Sequence, residues 1–150
     1  MFEQNKAIVR AIPEKLINSG NLDAADQYFA QDFVDYTAPA GSPSGLAGFK
    51  AYVTTLRSAF PDLHFTVEDM VAEGEKVVVR LTARGTMRGD FLGMKATGKT
   101  ATWQELHIAR LAGGKLVEHW ATIDLLGALQ QLGLVATPDQ QTVSPAGIKN

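Results

Sequence analysis

A chain of 150 residues with 45% hydrophobic content can bury about two thirds of its unfolded surface around one core, which favours a single domain. Its 14 Lys and Arg against 16 Asp and Glu give a formal charge of −2 with both signs scattered, so the basic patch expected of a nucleic-acid or anionic-membrane partner is missing. There is no cysteine, which excludes disulfides, thiolate metal sites and a Cys nucleophile. No window approaches the roughly 18 consecutive apolar residues of a membrane span, and Met1 to Lys6 is polar with no signal-like run behind it, so a cytoplasmic protein is expected.

Ile8, Ile12, Leu16 and Ile17, with Ala7 and Ala11, recur at helical spacing and predict an opening helix from about Glu3 to Asn18, stopped at Ser19-Gly20-Asn21. Leu22 to Phe29 reads as a short second helix and Phe33 to Tyr36 as an extended stretch. Pro39, Gly41, Pro43 and Gly45 mark a loop. A third helix, about Leu46 to Phe60, carries Phe49, Tyr52, Val53, Leu56 and Phe60 on one stripe and ends before Pro61.

From Leu63 the hydrophobic period shortens to that of strands. Phe65 to Ala72 and Lys76 to Met87 flank a Glu73-Gly74-Glu75 turn, and Thr100 to Leu111 and Leu116 to Asp124 flank Ala112-Gly113-Gly114-Lys115; both pairs predict hairpins. Between them Gly89 to Met94 is too apolar for an ordinary surface loop, as a lid over a pocket would be. Leu125 to Leu132 reads as a closing helix. Helices first and a long-stranded meander afterwards predict an α+β fold, a curved antiparallel sheet wrapped around the N-terminal helices with an apolar pocket inside.

The last hairpin permits a geometric step. A two-residue Gly113-Gly114 turn would pair Ala112 with Lys115, His107 with Trp120, and Trp103 with Asp124. Trp103, Glu105, His107, Glu118, Trp120 and Asp124 would then share one face, a mixture of aromatic and ionisable groups suited to holding and acting on an apolar ligand. Leu106, Ile108, Val117 and Ile123 would share the other with Gln104, Arg110 and His119, and the absence of a helix to cover that face predicts a homo-oligomer, a dimer or tetramer. One bulge would invert this assignment downstream of itself.

Two residues could carry proton chemistry. Asp124 in an enclosed apolar site would have a raised pKa and act as a general base, but Asp directly before Leu125-Leu126-Gly127-Ala128 is equally a helix N-cap. His107 could donate to a carbonyl or relay a proton, or could be a strand histidine held by one hydrogen bond. Glu118 fits a structural network with an arginine, and the tryptophans fit the core as well as a ligand platform. His64, His107 and His119 lack metal-ligand spacing; no Gly-x-Ser-x-Gly elbow, GxGxxG or Walker sequence is present, so no cofactor is implied.

Several segments in combination, Asp32-Phe33-Val34-Asp35-Tyr36, Ala59-Phe60-Pro61-Asp62-Leu63, Phe91-Leu92-Gly93, Thr97-Gly98-Lys99, Gly114 to Trp120 and Asp124-Leu125-Leu126-Gly127, resemble the SnoaL-like polyketide (ester) cyclases from about residue 5 to 134. The resemblance implies the cone-shaped α+β barrel of the NTF2-like superfamily. It also implies closure of a ring in an aromatic polyketide by intramolecular aldol condensation, without metal or Schiff base, with an Asp as acid/base. That Asp is similar to Asp124, and a partner His looks like His107; a position often occupied by His is Tyr36 here. The expected substrate-binding residues are Trp103, Glu105, Trp120, Tyr36, Phe33, Phe60 and Phe91, around a small apolar molecule. Residues 1–135 are expected to form the domain and 136–150 a tail, weakly ordered or packed on a partner subunit. A non-catalytic ligand-binding protein, an epoxide hydrolase with an Asp-Arg-Asp set, and a ketosteroid isomerase-like enzyme with a Tyr donor are the alternatives.

Overall fold

The computed structural model describes residues 1–137, so most of the expected tail lies outside the described residues. The opening helix α1, Phe2–Ala11, passes into a wider π-helical turn, Ile12–Ile17, closed by the bond from the Asn18 N–H to the Pro13 carbonyl at 2.9 Å. The predicted second helix is only a 3-10 turn, Ala25–Gln27. The reason is local: Asn21 Oδ1 accepts from the Asp23 N–H, an Asx turn competing with helix, while Phe29 is needed in the core and already begins strand β1, Phe29–Asp35.

Helix α2, Gly45–Ala59, is followed by β2, His64–Glu73, β3, Lys76–Thr86, β4, Thr100–Ala112, β5, Lys115–Ile123, and helix α3, Leu125–Gln131. The five strands form one open sheet in the order β1-β5-β4-β3-β2. β2 to β5 are antiparallel neighbours, whereas β1 joins β5 in parallel, so the sheet is mixed rather than wholly antiparallel as read from the sequence. Alternation decides its faces: Val77, Val79, Leu81 and Ala83 of β3 and Trp103, Ala109 and Leu111 of β4 are buried against Val9, Ile12 and Leu16 and against Leu56 and Phe60.

Polar side chains tie the layers together. Asn18 pairs with Phe65 at the edge of β2 like an added strand residue, its amide donating to the Phe65 carbonyl at 2.9 Å and its carbonyl accepting from the Phe65 N–H at 2.7 Å. Asp62, just after α2, accepts from the Thr86 N–H and hydroxyl at 2.7 and 2.8 Å, clamping the end of β3. Among the described residues no helix is long and apolar enough to cross a membrane.

The last hairpin starts as expected. Gly113 and Gly114 take φ of 60° and 77°, the pair of left-handed positions a type I′ turn requires, and Ala112 faces Lys115. A bulge then shifts the register: Leu111 faces Leu116 but Arg110 faces Glu118, leaving Val117 as the extra residue. From there His107 pairs with Ala121 and Ile108 with Trp120, so every side chain of β5 past Val117 lies on the opposite face from the expectation.

Candidate active site

Between the sheet's inner face, α1 with its π-turn, α2 and α3 lies a cavity of about 740 Å³, within the size range of small-molecule sites. Val9, Phe29, Phe33, Phe49, Phe60 and Leu132 make its wall largely apolar. Phe91 and Leu92, from the loop expected to act as a lid, also line it, and Phe91 packs edge-on against Phe60 with ring centroids 5.6 Å apart.

Set into this wall is an unbroken chain of polar side chains. Trp103 Nε1 donates to Glu105 Oε2 at 2.8 Å, Glu105 Oε1 lies 2.8 Å from His107 Nε2, and His107 Nδ1 lies 2.8 Å from His119 Nε2. His119 Nδ1 lies 3.1 Å from Asp35 Oδ1, which also accepts from the Thr37 N–H and hydroxyl at 3.0 Å each. The sequence positions this chain simply: Trp103, Glu105 and His107 alternate along β4, the bulge turns His119 inward on β5, and β1 brings Asp35 beside His119 in register. Glu105 is only 4% exposed, and an unpaired carboxylate at that depth would cost several kcal/mol. Its two partners offset that penalty.

Counting protons defines what the chain can do. The three links Glu105–His107, His107–His119 and His119–Asp35 each need one hydrogen, whichever tautomers are present, whereas two neutral imidazoles supply two. With both carboxylates ionised, all links are made only when the chain holds one added proton. That one proton is what completes the last link of the chain in the cavity wall. At the Asp35 end, burial alone would raise the carboxyl's pKa, but the hydrogen bond and charge of His119 and the two bonds from Thr37 hold it below the ordinary Asp range.

Of the residues expected at the site, His107, Trp103, Glu105, Phe33, Phe60 and Phe91 line the cavity. Trp120, Tyr36 and Asp124 do not. Trp120 and Tyr36 stack on each other on the outer face, centroids 5.1 Å apart and 12° from parallel, with Lys76 Nζ 5.1 Å from the indole centre. Tyr36 Oη donates to Glu118 Oε2 at 2.7 Å, and Glu118 also accepts from Arg110 Nε, the structural network expected for it. The departure of Trp120 follows from the bulge at Val117, whereas Tyr36 falls outside because its neighbour Asp35 at the end of β1 faces the cavity. Asp124 is exposed and caps α3, its Oδ1 accepting from the Gly127 N–H at 2.9 Å; Ile123 and Leu125 on either side of it reach the cavity, but the carboxylate would have to abandon its cap to do so. The residues brought in instead are His119, Asp35 and Tyr52. Asp35 stood within the Phe33-Val34-Asp35-Tyr36 segment, Tyr52 on the apolar stripe of α2 and His119 within the family-like Gly114 to Trp120 segment, but the regular register put His119 on the outer face and only the bulge turns it inward.

With this geometry in place, likeness to known proteins becomes informative. Residues 7–132 match the family described as SnoaL-like polyketide cyclase. The chain belongs to that family. It is 29% identical over 119 residues to the aklanonic acid methyl ester cyclase of Streptomyces peucetius, covering 77% of this chain and 82% of the relative. Among solved structures, TsrD from Streptomyces laurentii superposes with a TM-score of 0.82 at 26% identity, covering 89% of this chain and 97% of TsrD. IdmH from Streptomyces antibioticus does so with a TM-score of 0.77 at 33% identity, covering 87% and 99%. For a SnoaL-like chain, the α+β architecture expected from its sequence is thus the family's own. Among its described residues no three His, Asp, Glu or Cys side chains converge on a point where a metal ion would be held; the four ionisable groups stand in a line.

Proposed function

We propose that this protein is a cofactor-independent cyclase that closes a ring in an apolar, polyketide-like carbonyl substrate by intramolecular aldol chemistry. The observation that carries the reading is the Glu105–His107–His119–Asp35 chain in the wall of a largely apolar cavity. Glu105 uses two of its roughly four lone-pair positions on Trp103 and His107, which leaves a carboxylate oxygen able to accept a proton α to a carbonyl. The C–H electron pair forms the new C–C bond to a second carbonyl carbon, and the alkoxide so generated takes the proton back. Nothing is added or lost, so product and substrate have the same mass. His107 is the other half of this acid/base pair, and His119 and Asp35 are positioning residues that fix the His107 ring and complete the proton count. Folding of the substrate against the apolar wall aligns the two carbons, a contribution worth up to several kcal/mol of the barrier.

Asp124, the base implied by resemblance, takes a structural role in this reading. A ligand-binding protein without turnover is the second reading, favoured by the commitment of Asp124 to its cap. The epoxide-hydrolase alternative loses ground because no arginine is among the described residues lining the cavity. We also place a homodimer contact on the outer sheet face, where Leu106 and Ile108 are 49% and 37% exposed.

Conversion of aklanonic acid methyl ester, the substrate named for the Streptomyces peucetius relative, tests the function. Wild type is expected to yield a product of unchanged mass and altered retention, Glu105→Gln to lose on the order of 10²- to 10⁴-fold in rate, and Asp124→Asn to stay near wild type because Asn also caps helices. A folded Asp124→Asn variant without activity would return the base to Asp124. No turnover of this or related keto esters by a wild type that binds them would favour the binding reading.

A further inference from the structure

The polar donors inside the cavity are almost all committed. The Trp103 indole is bound to Glu105, the ring nitrogens of His107 and His119 to the chain described above, and the Thr37 hydroxyl to Asp35. Ser42 donates to the Pro39 carbonyl, and Gln31 and Ser44 are exposed residues of the lining. Tyr52 differs. It lies on the cavity-facing stripe of α2 with Phe49 and Leu56, and among the described residues its hydroxyl has no hydrogen-bond partner. It is 39% exposed and contributes to the cavity wall; burial is the largest influence on its phenol, and the charges of Glu105 and Asp35 act in the same direction. All three raise its pKa, and the hydroxyl keeps its proton well beyond neutral pH.

We infer that Tyr52 is a catalytic donor, hydrogen-bonding the substrate carbonyl whose oxygen gains negative charge when the α-proton leaves. The inference rests on the cyclase reading and adds to it the group that stabilises the enolate. The need for such a group is electrostatic. Two carboxylates and one added proton (−2 + 1) leave the polar chain at −1; when Glu105 takes the α-proton that charge moves onto the substrate oxygen, and in a largely apolar cavity it is costly there unless a preorganised donor meets it. Among the described residues Tyr52 is an uncommitted donor, kept protonated by burial first and by the charges of Glu105 and Asp35 after it.

Calorimetric titration of the full chain with 2-acetylnaphthalene and with 2-ethylnaphthalene, which has the same shape but no carbonyl, tests this without requiring turnover. Tyr52→Phe is expected to weaken the ketone about tenfold, the loss of one buried hydrogen bond, to leave the hydrocarbon unchanged, and to move the bound ketone's C=O stretch to higher frequency. Equal weakening of both ligands would make Tyr52 a wall residue and overturn the inference, as would an unchanged ketone affinity and stretch. Failure of either ligand to bind wild type would overturn it together with the pocket reading. Ketone binding through Tyr52 by a chain that cyclises nothing would sink the cyclase reading and the catalytic role with it, leaving Tyr52 a donor to a bound carbonyl only.

Discussion

Asp62 shows how single side chains hold this fold at a particular protonation state. It accepts two bonds from Thr86, and Thr86 Oγ1 lies 2.9 Å from Thr100 Oγ1, so one carboxylate clamps the end of α2 to paired positions of β3 and β4. The backbone bond from Thr86 is the strongest influence on its carboxyl and, with the hydroxyl bond and the charge of Arg84, outweighs desolvation to keep the pKa below the ordinary Asp value. Since the folded pKa is the depressed one, the stabilisation is present above the unfolded value of about 3.9 and is lost as pH falls through the folded value. Asp35 shifts in the same direction and adds to the effect. Asp62→Asn is therefore expected to lower Tm at pH 7, with the deficit shrinking towards pH 3; a deficit equally large at both pH values in calorimetry would contradict this. The residues most readable from sequence were those with a single plausible environment. Phe33 and Phe60 are core by any register, and Asp124 caps α3, one of the two roles its position before Leu125-Leu126-Gly127 allowed.

Among the elements, β4 and β5 account for both the success and the error of the sequence reading. Period-2 alternation correctly puts Trp103, Glu105 and His107 on one face because β4 runs without a shift against β3. Pairing across the turn fails past Val117 because the energetic difference between a regular and a bulged ribbon lies in tertiary packing, with Leu116 and Leu111 taking core positions before the strand turns over. The error exchanged His119 for Trp120 and hid half of the proton chain. It also moved Ile123 from the outer face to the cavity wall. What remains outside is Leu106 and Ile108 beside the Tyr36–Trp120 stack, a patch suited to a second copy of the chain. Light scattering is expected to give a dimer at micromolar concentration and a monomer for Leu106→Lys combined with Ile108→Glu. A wild-type monomer under those conditions would remove the proposal.

At the scale of the molecule, the order of elements was legible nearly throughout, since helical and strand periods rarely mix in this chain. The one element lost, the helix expected over Leu22 to Phe29, gave way to an Asx turn and an early strand. The parallel docking of β1 on β5 was not legible, because no local pattern distinguishes an edge strand added in parallel from one added antiparallel. That docking has a functional consequence. It brings Asp35, from the start of the chain, to His119, from its end, and thereby completes a chain that β4 alone supplies only as far as His107. The cavity and its proton-holding wall thus depend on the whole sheet being assembled.

Exchange of α-hydrogens for deuterium tests that wall directly, because it isolates proton removal from ring closure. In D2O, with 2-acetylnaphthalene as a ketone that cannot cyclise, NMR should show the wild-type chain accelerating exchange of the methyl protons. Glu105→Gln is expected to bind the ketone with similar affinity and to lose the acceleration. Exchange by Glu105→Gln as fast as by wild type, or none by a wild type shown to hold the ketone, would contradict the account.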